Sequence, residues 1–455
     1  MNNLQIEKTE LTKILKLSIP ILISNSLSSL LMFTDSLVLS RYNEKALSAS
    51  LSVGLLILFI SILFSGVIDY SSVLVAKAFG ENNKKKITNV FLSAIIFSIV
   101  SFIIIFIFLN FYSVPLLHIF GHDNDHMYFS QEYLVYVKYM PFFTLITASF
   151  SSLFNGIHRT DLTMKISVIA VIINIILDII LVNGYFISNP MGIKGSALAT
   201  ILSQFVSLLL FCILLVKKNP LEISKINKNN IKEIAMSIKL IVIEGGFVGL
   251  EHFFYLLSNT FAINFMQGYN PLFSDSISII LSIDRIVYLP FLALSIAASI
   301  RVGTLVGEGK HSQIKKTFIN TLLVSLIAAL FFCILYCFFG RPITSIFLNN
   351  SNNHDVIISI AIILLRITVL KVIFDAIGMI AWGVLRGVGD TRAALTYSII
   401  SNVSRLIIVM FLILYIKPEY IQIWSIYCLL IGLLPSFGIL RFVRGRWREK
   451  LTKNN

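Results

Sequence analysis

Apolar positions in this chain run in long blocks and do not alternate with polar ones. Twelve blocks stand near residues 14–40, 47–75, 89–112, 133–156, 164–184, 195–216, 238–266, 272–302, 316–340, 356–385, 393–416 and 420–440. Each is about 20 residues or longer, enough for a helix to cross the hydrocarbon core of a bilayer. The pattern therefore predicts an all-α polytopic membrane protein with twelve transmembrane helices.

Short polar turns separate the blocks, and their charges set the orientation. Of the 37 lysines and arginines, 27 fall in segments on the side of the N-terminus, 6 on the other side and 4 inside spans. This bias predicts that both termini are cytoplasmic. The turns also repeat. "VAKAFGENNKKKITNVF" (75–91) aligns without gaps on "VGTLVGEGKHSQIKKTF" (302–318), and "FNGIHRTDLTMKI" (154–166) on "LRGVGDTRAALTY" (385–397). Six spans followed by six more predict two six-helix lobes related by a parallel pseudo-two-fold repeat. The expected division is a lobe over 1–216, a cytoplasmic linker at 217–233, a second lobe over 234–440 and a basic tail at 441–455. In transporters built from such repeats, substrate and ion sites lie near the midplane.

Composition agrees with the membrane reading: 56% of residues are hydrophobic and 13% charged, where soluble domains carry about 25% charged residues. The net charge of +14 would suggest nucleic acid in a soluble protein. Here the basic tail "RFVRGRWREK" points to anionic lipid, and no nucleic-acid partner is expected. Cys212, Cys333, Cys337 and Cys428 lie in apolar runs without disulfide or metal spacing. The polar lead runs into the first block without a small-residue cleavage site, so no cleavable signal is expected.

Enzymatic motifs fail. "GTLVGEGKHS" has five residues between Gly303 and Gly309 where a phosphate-binding loop needs four, and it is a turn between helices. His118, His122, Asp123, Asp125 and His126 stand close together, but in an outer loop where solvated polar residues are ordinary. A membrane acyltransferase using His118 and Asp123 would need that loop to enter the membrane. No catalytic residue, cofactor or resident metal is expected.

The ionisable residues inside spans carry the remaining information, because such residues usually face a cavity or one another and mark ion or substrate routes. Asp35 lies about 9 Å below the outer end of the first span. Asp178 lies at the same level on the fifth, with Asn174 one turn below it on the same face. These three form the first candidate proton or cation site. In the second half, Glu251 and Asp375 lie about 18 and 16 Å from the cytoplasmic surface and are expected to meet, with transient Na+ as a candidate occupant. Glu244, seven residues before Glu251, is expected on the same face. Asp69 either lines the cavity or caps the inner third of the second span. Lys371, a turn before Asp375, and Arg405, at the repeat position of Asn174, either join the sites or neutralise their acids. Asp284–Arg285 and Arg366 read as internal or interfacial pairs.

Together "MFTDSLVLS", "VLVAKAFGENNKKK", "INIILDIILVNG" followed by "GIKGSALAT", and "FDAIGMIAWGVLRGVGDTR" resemble the multidrug and toxic compound extrusion (MATE) family over nearly the whole chain. The Glu251 and Asp375 pair is most similar to its NorM-like branch. The resemblance implies a V-shaped pair of six-helix bundles and export of cationic or amphipathic compounds against entry of H+ or Na+. It implies Asp35, Asn174 and Asp178 as the first-lobe network and Glu251 and Asp375 as the second-lobe cation site. Lys77 stands where the family usually has Gln, and Lys371 where NorM-like members are expected to have an aromatic; an ammonium there competes with Na+. The expected partners are a small organic cation or amphipath and membrane lipid, with the protein acting as a monomer in the inner or plasma membrane. The alternative is a flippase for a lipid-linked saccharide, which would want a strongly basic cavity.

Overall fold

The computed structural model describes residues 8–119, 124–185, 189–221, 228–347 and 354–449. Among them the chain forms sixteen α-helices. The first eight are α1 (Lys8–Tyr42), α2 (Glu44–Gly80), α3 (Lys84–Ile119), α4 (Asn124–Val137), α5 (Met140–Gly156), α6 (Thr160–Asn183), α7 (Ile193–Lys218) and α8 (Lys228–Leu240). A π-helical turn, Ile241–Gly245, leads into α9 (Gly246–Gln267). Then come α10 (Pro271–Gly307), α11 (Ser312–Phe338), α12 (Gly340–Ser345), α13 (His354–Gly387) and α14 (Thr391–Phe411), the last closed by a π-helical turn, Leu412–Ile416. The series ends with α15 (Tyr420–Ile431) and α16 (Leu433–Val443).

Ten helical segments are long and apolar enough to span a bilayer, and they match ten of the twelve predicted spans one for one. The fourth is divided between α4 and α5 by a turn at Lys138–Tyr139, just before Pro141, whose missing N–H suits the first turn of a new helix. The twelfth is divided between α15 and α16 at Gly432. Continuous apolar runs fold this way because a helix satisfies its backbone polar groups within the segment.

Two compact units result. The N-unit is Ile23–Gly249; the C-unit is Leu250–Asn455 together with the chain up to Leu22. The partition thus differs from the expected boundaries at two stretches. The start of α1 packs in the C-unit because Ile14 joins the apolar cluster of Leu294, Ala298 and Trp382. There Glu10 also receives two hydrogen bonds from Arg301, at 2.6 and 3.0 Å, with both side chains buried. Conversely, α8 and its π-helical turn belong to the N-unit. Glu233 takes hydrogen bonds from Lys85 (2.7 Å) and Asn89 (2.9 Å), and Ile241 is buried in the core around Phe150 and Phe154.

The repeat read from the turns extends to their backbone. Asn43 caps α2 by accepting from the N–H groups of Lys45 and Ala46. Asn270, at the spacing that relates 75–91 to 302–318, caps α10 in the same way through Leu272 and Phe273. Each satisfies N–H groups that a helix start leaves without partners. At the cytoplasmic turns Asn82 and Gly309 correspond, with φ of 54° and 71°, as do His158 and Gly389, at 62° and 83°. Gly156 lies against Val75, and its counterpart Gly387 lies against Val302. A Cβ would come within 2.5 and 2.7 Å of those side chains, so only glycine permits these approaches. In the C-unit, Trp424 fills the core and donates its indole N–H to the Leu364 carbonyl (3.2 Å) and Thr368 hydroxyl (3.1 Å).

Candidate functional site

Asp178 sits on the inward face of α6 and is wholly buried, as is Asn174 one turn before it. Asp35 reaches the same point from α1, and the two carboxyl groups lie within hydrogen-bonding reach of one another. With its amide oriented to suit its neighbours, Asn174 donates to Asp35 Oδ1 at 3.0 Å and to Asp178 Oδ2 at 3.3 Å. The structure therefore brings together the three residues that spacing alone placed at one level. Around them stand Ser196 on α7, within hydrogen-bonding reach of Asp178, and Tyr133 on α4, close to both acids. Asp178 Oδ1 has no hydrogen-bond partner. Buried carboxylate oxygens without donors are costly, and two carboxylates this close repel. One proton between them supplies the missing hydrogen bond and removes the repulsion. Chemically the cluster is able to take up and release a proton between two carboxyl groups bridged by an amide.

Glu244 and Asp69 also belong to the N-unit. Glu244 lies in the π-helical turn near Tyr70, and Asp69 is exposed. The expected common face for Glu244 and Glu251 is not found. A π-helical turn intervenes, which breaks the seven-residue register, and the two residues fall in different units.

In the C-unit the acids have basic partners. Lys371 Nζ lies 2.5 Å from Asp375 Oδ2 and 2.9 Å from Asp284 Oδ2, forming a three-membered ionic cluster between α13 and α10. Glu251 is held at 2.7 Å by Arg386 from the inner end of α13. Among the described residues no hydrogen bond or ion pair joins Glu251 to Asp375; each is bound to its own base. Asp284 does not pair with Arg285. Neighbours on a helix diverge by about 100°, so Asp284 turns to Lys371 while Arg285 is exposed, as is Arg366. Arg405 is buried on α14, donates to Asn402 Oδ1 at 3.0 Å and lies 5.1 Å from the centre of the Tyr427 ring.

No group of three potential metal ligands occurs among the described residues. The loop residues His122 and Asp123 lie outside the described residues, as do the side chains of His118, Asp125 and His126, most of the linker and the end of the tail.

Sequence reasoning missed Tyr133 and Ser196, and it misassigned Asp284. Serine and tyrosine in an apolar span carry no signal until the helices are packed. For Asp284 the adjacent Arg285 was the nearest base in sequence, while its actual partner Lys371 lies 87 residues away.

Comparison with known proteins follows this geometry. The family model described as MatE matches residues 20–180 and 248–411. A probable multidrug resistance protein, YoeA of Bacillus subtilis, is 24% identical over 95% of this chain and 93% of its own length. The probable multidrug resistance protein NorM of Thermotoga maritima is 24% identical over 96% and 93%. Among solved structures, a MOP superfamily transporter from Pyrococcus furiosus, whose reported pocket has reversed polarity, superposes with a TM-score of 0.85 at 19% identity, covering 97% of this chain and 96% of that one. A multidrug resistance MATE family transporter in an outward-facing conformation gives 0.84 at 19%, covering 98% and 97%. These likenesses are of fold.

Proposed function

This chain belongs to the MatE family, and on that premise we propose that it exports organic cations and amphipathic compounds by alternating access, in exchange for protons taken up at Asp35, Asn174 and Asp178. The observation that carries this reading is the Asn174 amide bridging two carboxylates, one of them wholly buried with an unpartnered oxygen. Opened to the acidic outer side, the pair takes a proton, becomes less negative and releases a cationic substrate. Opened to the cytoplasm, it loses the proton and regains the charge that attracts the next cation. Linkage requires proton and substrate to weaken each other by the same factor.

Na+ is the less favoured coupling ion. Glu251 and Asp375 each hold a basic group at 2.7 Å or less, and an ammonium or guanidinium in place repels a metal ion. We place the protein in the cell membrane as a multi-pass monomer with cytoplasmic termini and lipid around it. A flippase for a lipid-linked saccharide fits less well, since the charged residues of the first-half cluster, Asp35 and Asp178, are acids, which would repel a pyrophosphate.

The test is efflux of a fluorescent organic cation from everted membrane vesicles. A pH gradient should drive it and an imposed Na+ gradient at constant pH should not. Efflux that follows Na+ and ignores pH would sink the proton reading.

A further inference from the structure

Away from the ends of the predicted spans the basic residues are Arg285, Arg366, Lys371 and Arg405, all in the second half of the chain. Their surroundings differ. Lys371 has two carboxylates, and the buried or half-buried arginines near the helix ends each have at least one: Arg301 has Glu10 and Glu308, Arg386 has Glu251 and Arg441 has Asp390. Arg405 has none among the described residues. It is 4% exposed, its Nε has no hydrogen-bond partner, and its one hydrogen bond to a described residue goes to the neutral amide of Asn402.

Its setting fixes the guanidinium plane without neutralising it. The group lies against the Tyr427 ring, and the Tyr427 hydroxyl donates to Asn259 at 2.6 Å, so the ring is held in place and its oxygen is engaged elsewhere. The nearby Asp375 is committed to Lys371. Tyr255, within electrostatic reach of Arg405, is 36% exposed. Arg285 and Arg366 are exposed on α10 and α13, with no ion pair among the described residues, and they add positive field on the same helices.

A guanidinium offers five donors in a rigid fork that matches two oxygens of an anion. Held over the Tyr427 ring and by Asn402, it has less freedom to lose when such a group arrives. We propose that Arg405 is the centre of a subsite for an anionic oxygen group, a carboxylate, sulfate or phosphate, carried by the transported amphipathic compound. The preferred substrates are then zwitterionic amphipaths. This rests on the exporter reading and narrows its substrate class.

The test compares two forms of one dye, a rhodamine ethyl ester (a monocation) and its free carboxylic acid (a zwitterion). Uptake is measured into everted phosphatidylcholine proteoliposomes holding the full chain, under a pH gradient. The native protein should half-saturate with the acid at a concentration about tenfold or more below that for the ester. Arg405→Met should bring the two half-saturation concentrations together by weakening the acid. Equal half-saturation in the native protein, or an undiminished preference in Arg405→Met, would overturn the subsite and leave the exporter reading standing. If Arg405→Met transports neither dye, Arg405→Lys decides. That variant keeps the charge and loses the fork, so a collapsed preference supports the subsite and an intact one removes it. Loss of the acid preference when the vesicles contain phosphatidylglycerol would overturn the assignment to a transported solute, because a lipid phosphate would then hold Arg405. Transport of neither dye by the native protein would fail the exporter reading and this inference with it.

Discussion

Replacing Lys371 by methionine removes one charge and keeps most of the side-chain volume. Lys371 is the shared partner of Asp284 and Asp375, at 2.9 and 2.5 Å, with its side chain 9% exposed. Removing one member of a buried ion pair costs about 3–5 kcal/mol, because the partner charge stays behind without compensation. Here two carboxylates are left facing each other, so Lys371→Met is expected at the upper end of that range. The same change makes a site where two carboxylates meet without an ammonium, which a monovalent metal ion can enter. A ligand at a hundred times its dissociation constant restores about 2.7 kcal/mol. Thermal unfolding of purified protein in detergent, in sodium chloride and in choline chloride, reads both effects. The native protein should melt at the same temperature in both salts. Lys371→Met should melt well below it in choline and recover much of the loss in sodium. The double variant with Asp375→Asn should lose the sodium response. A Lys371→Met protein as stable as the native one, or equally unstable in both salts, would refute the reasoning.

Other outcomes follow from single contacts. Arg301→Met leaves buried Glu10 with the exposed Lys13 as its remaining partner and should cost at most about 3 kcal/mol, read as early melting, while Glu10→Gln with Arg301→Met should be milder than the arginine change alone. Asn43→Ala removes the cap of α2 and should lower stability by about 1 kcal/mol without altering transport kinetics. A cysteine at Asn189 should label from outside intact cells and one at Asn83 should not; the reverse pattern would invert the orientation.

Much of the fold was legible because a bilayer leaves a chain few options. Apolar blocks of spanning length must be helices, and basic turns order them. The two divided spans were not legible: Pro141 was visible, but the turn before it depends on how α4 and α5 pack. Nor was the exchange of segments between units, since nothing in the residues up to Leu22 or in 234–249 tells which lobe they join. That depends on partners such as Arg301 and Lys85, remote in sequence.

The candidate site was half legible. Asp35, Asn174 and Asp178 could be placed together because helical rise fixes depth and a four-residue spacing fixes the face. The second site was harder. Depth put Glu251 near Asp375, but pairing depends on rotation about each helix, and both acids turned to bases, Arg386 and Lys371. Adjacent charges such as Asp284–Arg285 misled for the same reason.

The most direct test of the central claim is the number of protons released when an organic cation binds the purified protein. Calorimetric titrations at one pH, in buffers of different ionisation enthalpy, give that number from the slope of the observed heat. Proton exchange at Asp35 and Asp178 requires about half a proton released per cation bound at the pH of half-protonation of the free site, rising toward one at lower pH. Asp35→Asn and Asp178→Asn should each bring the release to zero while the cation still binds. Equal release in the native protein and in both variants would contradict the account, and so would its absence in the native protein across the pH range in which transport occurs.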